Sequence, residues 1–194
     1  MNVREDWQVE SYRPAIKAAL EIYKPSFILE LGVGFYSTPL FPDKGYLGIE
    51  SDPDWFAEII RRFPDKHFIQ HELPGLHHLT RLFELSEKQK KDIFDYYNDL
   101  FIPKRRSLLF VDNYSCCRSI AINALRDKFD VVIFHDCQPD AWHVNGYDTI
   151  DPKGIQYLTT NDNWTGIIGD VSSSVQPYIK EFIKQYPECK MSLQ

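Results

Sequence analysis

Apolar residues in this chain fall into two kinds of pattern. The first is short continuous runs: Phe27-Ile28-Leu29-Glu30-Leu31, Tyr46-Leu47-Gly48-Ile49, Ser107-Leu108-Leu109-Phe110-Val111 and Val131-Val132-Ile133-Phe134. Such runs lack in/out alternation, which marks strands of a parallel sheet covered by helices on both faces. The second is helical spacing. Ile16, Leu20 and Tyr23 share one face of a helix expected over Tyr12–Tyr23, with Pro14 tolerated in its first turn. Asp52 and Pro53 open a helix whose Phe56, Ile59, Ile60 and Phe63 predict a buried stripe. Ser86-x-x-Gln89 has the form of a capping box before Ile93, Tyr97, Leu100 and Phe101. Ile120, Ala121, Ala124 and Leu125 point inward from a helix over Ser115–Lys128, and Val175, Tyr178, Ile179, Phe182 and Ile183 predict a last helix over Val175–Tyr186.

A short strand at His67–His71 and a closing antiparallel pair at Gln156–Thr160 and Thr165–Ile168 complete the pattern. Strands alternating with helices predict an α/β fold: a doubly wound Rossmann-like sheet, mostly parallel, with an antiparallel C-terminal strand. The length of 194 residues predicts one domain spanning 1–194.

Charge and composition narrow the classes. The net charge of −6 argues against a generic nucleic-acid binder, and Lys104-Arg105-Arg106 reads as a solvated turn before a strand. No apolar run approaches the ~20 residues that span a bilayer, and the first residues carry no secretory core. Cys116, Cys117, Cys137 and Cys189 form no Cys-x-x-Cys pair, so reduced thiols and a cytoplasmic setting are expected. Neither a nucleic-acid nor a membrane partner is therefore expected.

In an open α/β sheet, ligands bind beyond the carboxyl ends of the strands. Every such end here carries an acid: Glu30 before Gly32-Val33-Gly34, Glu50 with Ser51, Glu72 after Gln70 and His71, Asp112 before Asn113, and Asp136 after His135. Glycines at Gly32 and Gly34 allow close approach of backbone and ligand, and a carboxylate at the end of the second strand suits ribose hydroxyls.

The motifs Glu30-x-Gly32-x-Gly34-x-x-Ser37 and Gly48-Ile49-Glu50-Ser51-Asp52 resemble those of class I S-adenosylmethionine-dependent methyltransferases, over roughly residues 11–140. A nicotinamide fingerprint fits less well, because Ser37 stands where its third glycine belongs. The resemblance implies that Glu30, Gly32, Gly34 and Ser37 face the methionine part of the cofactor. It also implies that Glu50 binds the ribose with Ser51 beside it, that Gln70, His71 or Glu72 lies near adenine, and that Asp112 borders the cofactor.

Phe110-Val111-Asp112-Asn113, Arg118 and Ile133-Phe134-His135-Asp136 resemble metal-dependent O-methyltransferases acting on small molecules or sugars. In that pattern Asp112 and Asp136 hold a divalent cation, while His135 departs from the usual acid pair. The resemblance implies methyl transfer to a hydroxyl with Asp112, His135 and Asp136 as the reaction centre, through a base or a bound cation. A non-catalytic nucleoside- or protein-binding module on the same sheet is the competing reading.

Other signals carry less. His67, His71, His77 and His78 read as exposed loop histidines, and Cys137 with His135 and His143 matches no zinc spacing. Trp142, His143, Tyr147 and Trp164 either border an acceptor pocket or cover the sheet.

Overall fold

A computed structural model of the chain describes residues 10–72, 81–103, 106–161 and 163–194. Lys104, Arg105, His77, His78 and the first residues of the chain lie outside the described residues. The strands are β1 (Phe27–Leu31), β2 (Tyr46–Glu50), β3 (Phe68–Gln70), β4 (Ser107–Val111), β5 (Val131–Phe134), β6 (Ile155–Thr159), β7 (Trp164–Ile168) and β8 (Ser192–Leu193). They form one eight-stranded sheet in the order β3-β2-β1-β4-β5-β7-β6-β8. The pairs from β3 through β5 are parallel, and β7 runs antiparallel to β5 and β6. The sheet is thus the doubly wound, mostly parallel Rossmann-like form expected. β8, a two-residue strand pairing with β6, carries too few residues to leave a pattern in the sequence.

The helices are α1 (Arg13–Tyr23), α2 (Pro53–Arg62), α3 (Glu87–Asp99), α4 (Arg118–Leu125) and α5 (Ser172–Gln185). Their starts follow local chemistry. Asp52 accepts from Trp55 N at 2.8 Å to cap α2, and Ser86 with Gln89 forms the capping box of α3. Among the described residues no helix is long and apolar enough to cross a membrane. All four cysteines are buried, and none is in a disulfide.

The alternation of side chains divides the core. Phe27, Leu29, Leu31, Leu109, Val111, Val132 and Phe134 pack toward α3 and α4. Ile28, Tyr46, Leu108, Phe110, Val131 and Ile133 pack toward α1 and α5. Because strand side chains repeat every two residues, Glu30, Glu50, Asp112 and His135 continue the α1 side at their strand ends.

Two expected apolar faces are corrected. Of the α2 stripe only Ile59 is buried, and Ile60 is 41% exposed. The helix follows β2 toward β3, the sheet edge, so it has little sheet to cover. In α3, Ile93 and Tyr97 are buried, whereas Phe101 lies beyond the helix end in solvent.

Candidate functional site

The carboxyl ends of β1, β2 and β4 open onto a cavity of about 600 Å³, within the size range of small-ligand sites. Its wall is the turn from Gly32 to Ser37, with Tyr12, Glu50, Asp52, Trp55, Asp112, Asn113, Tyr114, Ser115 and Arg118.

Gly32 makes this turn sterically feasible. Its φ is +79°, and a Cβ there would sit 2.5 Å from the Asn113 backbone. The turn leaving β1 therefore lies against the chain leaving β4, and only glycine permits both the conformation and the approach.

Two carboxylates then hold the turn from opposite sides. Val33 N donates to Glu50 Oε2 at 3.2 Å. Gly34 N donates to Thr38 Oγ1 at 3.1 Å, and Thr38 Oγ1 donates to Glu30 Oε2 at 2.9 Å. Glu50 also accepts from Ser51 N at 2.6 Å and Asp52 N at 2.9 Å through Oε1. Burial raises the Glu50 carboxyl, and these three backbone donors oppose the rise. Trp55 braces the same turn, donating from Nε1 to Val33 O at 2.6 Å and packing on Phe35 at 4.6 Å between ring centres.

Glu30 itself does not line the cavity. It is fully buried under the turn, where the Tyr46 hydroxyl also donates to it. Burial pushes its carboxyl up to about 7, against the pull of the Ser37, Tyr46 and Thr38 hydroxyls.

The floor is built by Arg118 at the start of α4. Nη2 donates to Asp112 Oδ1 at 2.7 Å, and Nη1 to Asp136 Oδ2 at 2.9 Å and to His135 O at 3.2 Å. Nε donates to Asn113 O at 2.8 Å. Alternation alone would put Asp136 on the face opposite Asp112. The chain bends there at a φ of +54°, and the two acids meet at one guanidinium.

His135 is 3% exposed and stands behind Tyr12, edge-on to its ring at 4.9 Å. Nε2 lies 3.0 Å from Ser11 Oγ, and Nδ1 lies 3.6 Å from both Asp112 Oδ1 and Asp136 Oδ1. Burial works against its charged form, but Asp136 and Asp112 outweigh it, and the net direction is upward.

Of the residues proposed from sequence, Gly32, Gly34, Ser37, Glu50 and Asp112 line the cavity, while Glu30, Ser51, His71, His135 and Asp136 do not. Ser51 serves through its backbone donor to Glu50. His71 stacks on Tyr96, with ring centres 3.4 Å apart. The aromatic segment after β5 is also placed elsewhere. Tyr147 is buried with its hydroxyl donating to His135 O at 2.6 Å, and Trp142 and Trp164 pack over the α4 side of the sheet. His143 is exposed beside Asp148.

Sequence reading missed Tyr12, Trp55 and Tyr114. Trp55 had a legible signal, lying in the first turn after the cap at Asp52, next to the end of β2. Tyr12 precedes α1 and reaches the cavity only because α1 packs beside β5.

Asp112, His135 and Asp136 bring one donor atom each to within 4.8 Å of one another. Arg118 already donates to one oxygen of each acid, and its fixed charge beside them disfavours a divalent cation. Glu50 presents a carboxylate oriented by three N–H groups beside a glycine turn.

No family model and no curated protein matches the chain. Several solved structures are similar, two of them as follows. One is described as an rRNA methylase from Streptococcus thermophilus, with 9% identity, a TM-score of 0.49, and coverage of 80% of this chain and 93% of that chain. The other is a methyltransferase-like protein from Silicibacter pomeroyi, with 13% identity, a TM-score of 0.49, and coverage of 87% and 93%. Likenesses this distant carry nothing about the reaction of this chain. One expectation, that nucleic acid is excluded as a partner, is corrected. A chain of similar architecture is described as an rRNA methylase, and net acidity of a whole chain does not describe its local surface.

Proposed function

We propose that the chain is an S-adenosylmethionine-dependent methyltransferase that methylates an oxygen of its acceptor. The observation that carries this reading is the electrostatics of the cavity. Its lining holds three carboxylates, Glu50, Asp52 and Asp112, and one guanidinium, Arg118, already bound by two acids. Such a wall favours a cationic ligand and repels phosphate. The amides of Val33 and Gly34, which a pyrophosphate would need, are taken by Glu50 and Thr38. This favours a positively charged nucleoside over a nicotinamide dinucleotide.

When bound, the cofactor supplies a methyl group on positively charged sulfur, open to in-line attack. The chain's own work is positioning. Glu50 accepts from vicinal hydroxyls. Tyr12 and Tyr114 wall the cavity. Asp112, fixed by Arg118, accepts a hydrogen bond from the acceptor hydroxyl, sets its direction and takes its proton as the methyl group is transferred. His135 Nδ1 lies 3.6 Å from that carboxylate, and Asp136 shares its guanidinium. The reading uses no metal.

Calorimetric titration with S-adenosylhomocysteine tests the first step, and no binding at millimolar ligand overturns the proposal. Methyl transfer to a panel of sugars, phenols and RNA oligonucleotides then identifies the acceptor. A non-catalytic nucleoside-binding role is the second reading, favoured by the closure of Arg118 on both acids. Binding of the nucleoside without transfer to any member of the panel would support it.

A further inference from the structure

Glu30 lies outside the mechanism above, although it is a fully buried carboxyl directly beneath the cavity wall. Its contacts form one chain: the Tyr46 hydroxyl donates to Glu30 Oε2, Thr38 Oγ1 donates to the same oxygen at 2.9 Å, and Gly34 N donates to Thr38 Oγ1 at 3.1 Å. Thr38 N returns to Gly34 O at 3.1 Å, so the threonine grips the glycine through both its backbone and its side chain. Gly34 and Ser37 are cavity-lining residues, and Thr38 is wholly buried behind them.

We propose that Glu30 is a positioning residue that sets the conformation of the glycine turn through the Thr38 hydroxyl, and so couples the ligand affinity of the cavity to its own protonation. This extends the cofactor reading given above and depends on it for the identity of the ligand. The physical reason lies in donor count. As a carboxylate, Glu30 accepts from Thr38 and Tyr46, and Thr38 keeps its lone pair for the Gly34 amide. Protonation makes one Glu30 oxygen a donor and weakens its pull on both hydroxyls, so the Thr38 hydroxyl is no longer held in the orientation that Gly34 requires.

Tyr46 from β2, Thr38 and Ser37 from the turn, Tyr12 before α1 and Asp112 after β4 surround Glu30. All are neutral hydroxyls except Asp112, which disfavours the carboxylate. Burial already pushes the Glu30 carboxyl up to about 7, so the switch falls near neutral pH. The ionised form is the one that orders the turn, so ligand affinity rises as pH rises through this point.

The test has a ligand-free arm and a ligand arm. In the first, the Gly34 amide resonance is followed by NMR from mildly acidic to mildly alkaline pH. The wild type is expected to show a titration step near neutrality at Gly34. Glu30→Gln, which keeps an acceptor but cannot ionise, removes the step. Thr38→Val, which keeps the shape but lacks the hydroxyl, also removes it at Gly34. A Gly34 amide indifferent to pH in the wild type, or a step that survives in both variants, overturns the proposal. Should Glu30→Gln fail to fold, Thr38→Val decides alone.

In the second arm, S-adenosylhomocysteine is titrated calorimetrically across the same range. Thr38→Val weakens binding by roughly tenfold, the worth of about one hydrogen bond, and Glu30→Gln binds with an affinity flat in pH where the wild type tightens. A wild type that binds at every pH with unchanged affinity overturns the coupling. No binding at any pH overturns the cofactor reading, and the Gly34 titration then decides whether Glu30 controls the turn.

Discussion

Arg118 Nη2 donates to Asp112 Oδ1 at 2.7 Å, so the acid at the floor of the cavity is paired from within the protein. The same guanidinium reaches Asp136 at 2.9 Å and is almost entirely buried. Removing it leaves two carboxylates and a histidine beside them without their main cation. Arg118→Met is expected to destabilise the fold by about 3–5 kcal/mol, the usual result of breaking one side of a buried ion pair. Urea unfolding measures this, and a loss below about 1 kcal/mol would show that solvent already carries the two acids.

The same pairing predicts indifference to divalent metal. Magnesium or manganese at millimolar concentration is expected to leave the melting temperature of the wild type unchanged, since a ligand stabilises only by binding the folded state. A concentration-dependent rise that disappears in Asp112→Asn would restore the cation that the sequence resemblance implied.

Glu50 is expected to dominate ligand affinity. Glu50→Ala removes the carboxylate from the cavity wall and strands the donors of Val33, Ser51 and Asp52. Hydrogen bonds to charged groups are worth about 1.5–3 kcal/mol, so affinity for S-adenosylhomocysteine is expected to fall by roughly ten- to a hundredfold. Calorimetry reads this directly, and an affinity equal to wild type would rule out the ribose assignment.

His135 predicts a pH dependence with a definite sign. Its folded-state pKa is raised above 6.5, because Asp136 and Asp112 outweigh burial. The folded state therefore holds a proton that the unfolded state has released, and stability falls as pH rises from the unfolded value through the folded one. Below 6.5 the contribution is present in full. His135→Asn is expected to flatten this part of the curve. Glu30 titrates with the same sign, so the informative quantity is the difference between wild type and variant at each pH. An unaltered slope in the variant would place the proton elsewhere.

Gly32 is expected to tolerate no side chain. Gly32→Ala combines a φ of +79° with a Cβ 2.5 Å from backbone atoms of Asn113. The left-handed strain alone costs of order 1–3 kcal/mol, and the clash forces the ends of β1 and β4 apart. Loss of stability and of nucleoside binding together is the expected outcome, and a variant that binds normally would mean that the turn and the Asn113 backbone separate at little cost.

By itself the sequence determined seven of the eight strands, the caps and the placement of acids at strand ends. These depend on local rules: apolar runs, a cap at Asp52, a capping box at Ser86, and a period of two that puts Glu30, Glu50, Asp112 and His135 on one side of the sheet. Only the tertiary structure decided which of these groups face the ligand. Glu30 lies beneath the turn because Thr38 and Tyr46 close over it, and His135 lies behind Tyr12 because α1 packs beside β5. Arg118 lies between Asp112 and Asp136 because β4 and β5 are adjacent and the chain bends at Asp136. A charge in a sequence states what a residue can do, and burial and pairing, which depend on contacts across the sheet, determine which charge remains available to a ligand.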